Sequence, residues 1–250
     1  MRLTRCDPYE ADPRFLDLRT TNERGGLKQW GFVIYRCTYD SQEKWDTFVK
    51  LIKGRTRYEF EEFDSQEPND LWNTLSWTII EDPKLEGAHI LDTSKRFHEW
   101  VNKEGLEERK GGFLEEETAG YPRYNYFIHA DKEMVESMWA DYTAFNGSDD
   151  AEHWGKGKDY VLLVDPASVL SVDARQKAKG KETYIDPWLG YEVQIFEEDD
   201  EFYDYYEDDE RGSLTKKIKC YTLFEPYFHL TTDTWDRFYR HEEEGFYKVI

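Results

Sequence analysis

The sequence predicts an α+β fold, and three stretches carry the prediction. Residues 29–39 (QWGFVIYRCTY) are rich in β-branched and aromatic side chains and end at a polar turn, as a strand does. Residues 40–53 then place Trp45, Phe48, Val49 and Ile52 on one helical face. Asp40 and Glu43 precede that face at capping-box spacing, and Gly54 is the expected stop. Residues 122–129 (PRYNYFIH) open a second copy of the theme, a strand followed by a helix that Asp131 caps, with Met134, Val135, Met138, Trp139 and Tyr142 at helical spacing. Strand–helix–strand repeated in this way is the ferredoxin-like split βαβ arrangement, an antiparallel sheet with helices on one face. In such a sheet the strands carrying Arg36 and His129 run in opposite senses, and their ends lie at opposite edges.

Taken in order, residues 1–28 read as an N-terminal arm with little regular structure, given Pro8, Pro13, Gly25 and Gly26. Residues 29–250 then form a single α+β domain. Residues 55–70 are charged and irregular, and 72–81 (WNTLSWTIIE) read as the second main strand. Thr93 or Ser94 caps a helix carrying Phe97, Trp100 and Val101, and 103–120 is a charged insertion. Residues 145–158 form a loop. Residues 159–165 (DYVLLVD) are the most apolar run and read as a buried central strand. Residues 190–196 form an edge strand, and a helix begins near Thr232 or Asp233.

Aromatic residues make up 17% of the chain, enough to build a core despite a charged fraction of 35%. The net charge is −21, and ten of the fourteen residues 197–210 are Asp or Glu, so removing that segment still leaves about −11. An acidic surface disfavours broad nucleic-acid binding and anionic membranes, and it suits a cationic guest or simple solubility. Cys6, Cys37 and Cys220 are too few and too scattered for a disulfide framework. No apolar signal core opens the chain, and no stretch approaches membrane-spanning length. A reduced, cytoplasmic protein without a membrane partner is expected.

The nucleophile elbow, phosphate loop, dinucleotide fingerprint and paired zinc histidines are all missing from the sequence. The six histidines have no metal spacing, so no metal and no cofactor is expected. The candidates sit at strand ends. His129 beside Asp131 offers an imidazole and a carboxylate for acid–base work, or else a packed histidine and a helix cap. Tyr35 and Arg36 alternate to opposite faces, and an Arg on an apolar strand needs a carboxylate partner or a ligand. Asp165 precedes Pro166 and reads as a cap before it reads as a substrate contact. Asp149, Asp150, Glu152 and His153 form a loop cluster able to bind a cation or simply to be solvated.

The strings GFVIYRCTY, KWDTF, RYNYFIHADKE and DYVLLVD resemble a large group of uncharacterised fungal proteins, in order over residues 29–240. A further resemblance is to fungal arginine-containing cyclodipeptide synthases, which join arginine and a second amino acid from their tRNAs into a diketopiperazine. That family carries a DDxxE string, which this chain lacks; the nearest are Asp149-Asp150-Ala151-Glu152 and the runs at Asp199-Asp200 and Asp208-Asp209. The resemblance implies a tRNA-dependent enzyme with His129, Asp131 and Asp40 as acid–base or arginine-recognition residues and Tyr35, Arg36 and Asp165 lining the same region. Arginyl-tRNA and a second aminoacyl-tRNA would then be the partners. Arg175, Lys177, Lys179, Lys181, Lys216 and Lys217 are the residues placed to contact tRNA phosphates. The alternative is a non-catalytic acidic module whose segment 197–210 engages a basic protein partner.

Overall fold

A computed structural model describes residues 22, 27–63, 69–109, 121–148, 158–195, 214–218, 223, 226–227 and 230–231. Among them a five-stranded sheet is built from β1 (Val33–Arg36), β2 (Thr78–Ile80), β3 (Phe127–Ala130), β4 (Val161–Val164) and β7 (Thr215–Ile218), in the order β2-β1-β3-β4-β7. A separate hairpin pairs β5 (Thr183–Ile185) with β6 (Glu192–Gln194). The α+β class therefore holds.

The sheet is mixed, not antiparallel, and the split βαβ repeat is not confirmed. Strand β1 runs parallel to both neighbours, pairing Ile34 with Ile79 on one side and Tyr35 with His129 on the other. Within this sheet, among the described residues, the β3–β4 and β4–β7 pairs are antiparallel. Both links within the parallel set, β1 to β2 and β2 to β3, must cross over, which takes helices.

Those helices cover both faces of the sheet. On one face α1 (Gln42–Phe63) and α6 (Lys132–Ala144) pack Trp45, Phe48, Leu51, Met134, Val135 and Met138 onto Phe32, Ile34 and Ile128. On the other face α3 (Ile90–Asn102) and α7 (Pro166–Lys177) pack Phe97, Trp100, Val101 and Val169 onto Val33, Tyr35 and Phe127. Helices were expected on one face and cover both, so the two faces have separate cores. Alternation along β1 and β3 feeds them, and each fully buried aromatic or aliphatic side chain contributes roughly 1.5–3 kcal/mol.

Several boundaries moved, each for a physical reason. Helix α1 runs past Gly54, because Leu51, Ile52, Arg55 and Thr56 are buried beyond or beside it, outweighing the roughly 1 kcal/mol that a helical glycine costs. Its first turn is held by Ser41, whose Oγ accepts from the Lys44 N–H at 3.3 Å, while Asp40 pairs with Lys132. Residues 72–74 are the end of a short helix α2 (Asn69–Thr74), so β2 starts only at Thr78. His89, not Thr93 or Ser94, caps α3, and those two residues are buried within it. Residues 104–109 form the short helix α4 (Glu104–Arg109). Pro122 occupies the first position of α5 (Pro122–Asn125), where a missing N–H costs nothing, and this shortens β3 at its start. The acidic segment 197–210, the cluster 149–153 and the helix expected from Thr232 lie outside the described residues.

Arg123 ties the amino edge of the sheet together. Its guanidinium is fully buried, donates to Gly31 O at 3.1 Å, Ser76 O at 2.9 Å and Thr78 Oγ1 at 2.6 Å, and meets Glu108 through Nε at 2.8 Å and Nη2 at 3.0 Å. Such a charge is tolerable inside only because its donors are satisfied. Gly31 is required beside it: φ is +104°, and a Cβ there would stand 2.8 Å from Ser76 O.

Candidate functional site

Parallel pairing of β1 with β3 puts Arg36, Cys37, His129 and Asp131 at one edge of the sheet, the carboxyl ends of both strands. The chain leaves β1 for β2 on one flank and leaves β3 for β4 on the other, so strand order reverses between them. In open sheets with parallel strands, ligands bind outside the carboxyl ends at such a reversal. Loops 37–41 and 81–89 and the start of α6 border this rim.

The rim has two faces, and its candidates divide between them. Arg36 lies on the α1 face. Its Nε donates to Thr38 O at 2.9 Å, and Nη1 donates to Gln42 Oε1 at 3.0 Å and Glu81 Oε1 at 3.2 Å. The guanidinium also lies over the rings of Tyr39 (4.3 Å) and Trp45 (4.8 Å). Trp45 Nε1 donates to the same Glu81 oxygen at 2.5 Å. Arg36 is therefore a structural cation held within its own chain.

His129 lies on the α3 face, almost wholly buried, with Nδ1 3.0 Å from Thr93 Oγ1 and 3.6 Å from Cys37 Sγ. Burial is the main cause that pulls its pKa down to about 4; the Asp131 charge opposes the fall and His89 adds to it. Burial likewise pushes the Cys37 thiol up to about 12, helped by the charges of Asp131 and Glu86. At neutral pH the pair is thiol and neutral imidazole, which does not supply the thiolate of a cysteine nucleophile. The imidazole, however, is a base in its uncharged form.

Asp131 caps α6, accepting from the Met134 N–H at 2.8 Å, and so serves the capping role and stands beside His129 in sequence. Asp40 is exposed and bound by Lys132 at 2.5 Å, across the mouth between the β1 and β3 loops. Glu86 accepts the Tyr39 N–H at 2.6 Å on the same rim. Tyr35 does not line the rim: it is buried edge-on against Phe127, its ring centroid 5.3 Å away, and burial raises its pKa.

Asp165 belongs to the opposite edge, because β4 is antiparallel to β3 and Val164 pairs with Phe127. There it caps α7 through the N–H groups of Ala167 and Ser168, so it cannot share a site with His129. Of the residues placed to meet tRNA, Lys179 and Lys181 are exposed, and Arg175 and Lys177 end α7, with Lys177 paired to Asp173 at 2.7 Å. Lys217 pairs with Glu133 at 3.0 Å and lies over the Tyr160 ring. Lys216 is 3% exposed in β7 and is out of reach of a surface phosphate.

An open cleft of about 530 Å³ lies toward the amino edge, lined by Lys28, Gln29, Lys103, Glu104, Glu107 and Glu108. Glu108 is committed to Arg123 and Glu104 to Lys103, and the lining holds no histidine, so the rim is the better chemical candidate. Thr93, Cys37, Glu81 and His89 are rim residues that the sequence did not single out. Thr93 was masked by its place before an apolar period, which read as a cap. Among the described residues no group of three or more His, Cys, Asp or Glu side chains could hold a metal ion, and no helix is long and apolar enough to cross a membrane. No protein-family model matches the chain, and neither a curated protein nor a solved structure matches it.

Proposed function

We propose that the protein is an aminoacyl transferase of the arginine-containing cyclodipeptide synthase type, working at the carboxyl-end rim with His129 as its base. The observation that supports this reading is the parallel register of β1 and β3, which gathers His129, Asp131 and Asp40 at one edge where opposed strands would have parted them. Aminoacyl esters are already activated, so the protein need only position two of them and move protons. Each amine attacks the other ester's carbonyl; two ester bonds break, two amide bonds form, and two tRNA hydroxyls are released. The amine protons pass to those hydroxyls, with neutral His129 as the carrier. Asp40, Glu81 and Glu86 border the rim, and a guanidinium side chain would have to share them with Lys132, Arg36 and the Tyr39 N–H. The phosphate contacts fall to Lys179 and Lys181, with Arg175 and Lys177 behind them.

The test is to express the chain in a bacterium and search extracts by mass spectrometry for new arginine-containing diketopiperazines. Wild type should yield them and His129→Gln should not. Soluble wild-type protein that yields none in the presence of charged tRNAs would overturn the reading. One observation favours the second reading, an interaction module. Ile185, Leu189 and Tyr191, on and beside the β5–β6 hairpin, are 60%, 53% and 57% exposed, an apolar patch with no covering partner among the described residues.

A further inference from the structure

We infer that Thr93 is a positioning residue that fixes the tautomer of His129, keeping the proton on Nδ1 and leaving Nε2 as the acceptor atom of the rim. The inference rests on His129 being the base proposed above, and it concerns a residue of α3 rather than of the strands.

The hydrogen bonds decide the tautomer. Thr93 has one hydroxyl proton, and its Oγ1 lies 2.9 Å from Ile90 O, a carbonyl that can only accept. With the proton directed to that carbonyl, the oxygen faces Nδ1 at 3.0 Å with a lone pair. Only an N–H on Nδ1 satisfies that contact. Cys37 repeats the arrangement independently: its thiol donates to Tyr35 O at 3.6 Å, which turns a sulfur lone pair toward the same Nδ1. Two backbone carbonyls, one on α3 and one on β1, thereby orient both neighbours as acceptors.

Nε2 is left differently. The contacts of the ring to Thr93 and Cys37 both fall on Nδ1, and neither falls on Nε2. The residue is 3% exposed, so only a small part of it can face the rim. Neutral imidazole free in water prefers its proton on Nε2, so this arrangement needs a partner that holds the other tautomer. A ring held so keeps its free lone pair on Nε2, as a base or a hydrogen-bond acceptor must have one.

The experiment uses the full chain labelled with ¹⁵N-histidine, with long-range ¹H–¹⁵N correlation at neutral pH and His129 assigned by its loss in His129→Gln. Wild type should show a protonated Nδ1 and a bare Nε2. Thr93→Val should move the tautomer ratio roughly tenfold toward Nε2–H, the scale of one lost hydrogen bond, whereas Thr93→Ser and Cys37→Ala should keep the wild-type pattern. A bare Nδ1 in wild type, or an unchanged ratio in Thr93→Val, would overturn the inference. If Thr93→Val fails to fold, loss of the Nδ1 proton in the serine variant overturns it equally. The expected tautomer without any diketopiperazine product would remove the enzyme reading alone and leave this one standing.

Discussion

Burying His129 ties stability to pH in a calculable way. In the unfolded chain the imidazole takes a proton near 6.5, while in the folded protein burial delays protonation to about 4. Between those values the unfolded state binds more protons, so stability falls as pH is lowered. The contribution is fully present above the unfolded value, is lost progressively below it, and levels off beneath the folded value. The gap corresponds to about 3 kcal/mol in all, of which about 2 kcal/mol is lost by roughly pH 5. Urea denaturation of wild type and His129→Gln at pH 7.5 and pH 5 isolates the term, since every carboxylate and His98 is common to both. Wild type should lose about 2 kcal/mol more than the variant over that interval. Parallel losses in the two proteins would mean that the ring is not desolvated in the folded state, which would refute the lowered basicity described above.

Two further outcomes follow from the interior. Gly31→Ala places a methyl 2.8 Å from Ser76 O at a φ of +104° and disturbs the carbonyl that Arg123 uses, so thermal denaturation should show a loss of at least about 2 kcal/mol. Asp159→Asn removes the carboxylate from buried Arg55 and should cost about 3–5 kcal/mol in chemical denaturation, whereas replacing both residues by apolar ones of similar size should recover most of that.

The sequence made local structure legible where one residue type has one purpose. Asp131 and Asp165 were read as caps and are caps, and the apolar run around β4 is a buried strand. Strand direction was not legible, because a capped helix after a strand is compatible with either a parallel crossover or an antiparallel return. That one ambiguity decided whether His129 and Arg36 would share an edge. They do, and alternation then sends them to opposite faces. β7 was hidden for another reason: two adjacent lysines in Thr-Lys-Lys-Ile point to the surface, whereas Lys216 is buried in a strand paired with β4. Thr93 was misread because a threonine ahead of apolar periodicity resembles a helix start wherever it falls.

The arginine at the amino edge has a consequence for how the strands find their alignment. Its carbonyl partners come from residues 31 and 76, and they converge only when β1 and β2 are matched as observed. Sliding either strand by one position would carry a carbonyl away and leave a buried guanidinium donor unsatisfied, at a cost of about 1–3 kcal/mol. A single side chain thus acts as a checksum on the pairing of two very short strands, whose few hydrogen bonds would discriminate poorly between neighbouring alignments.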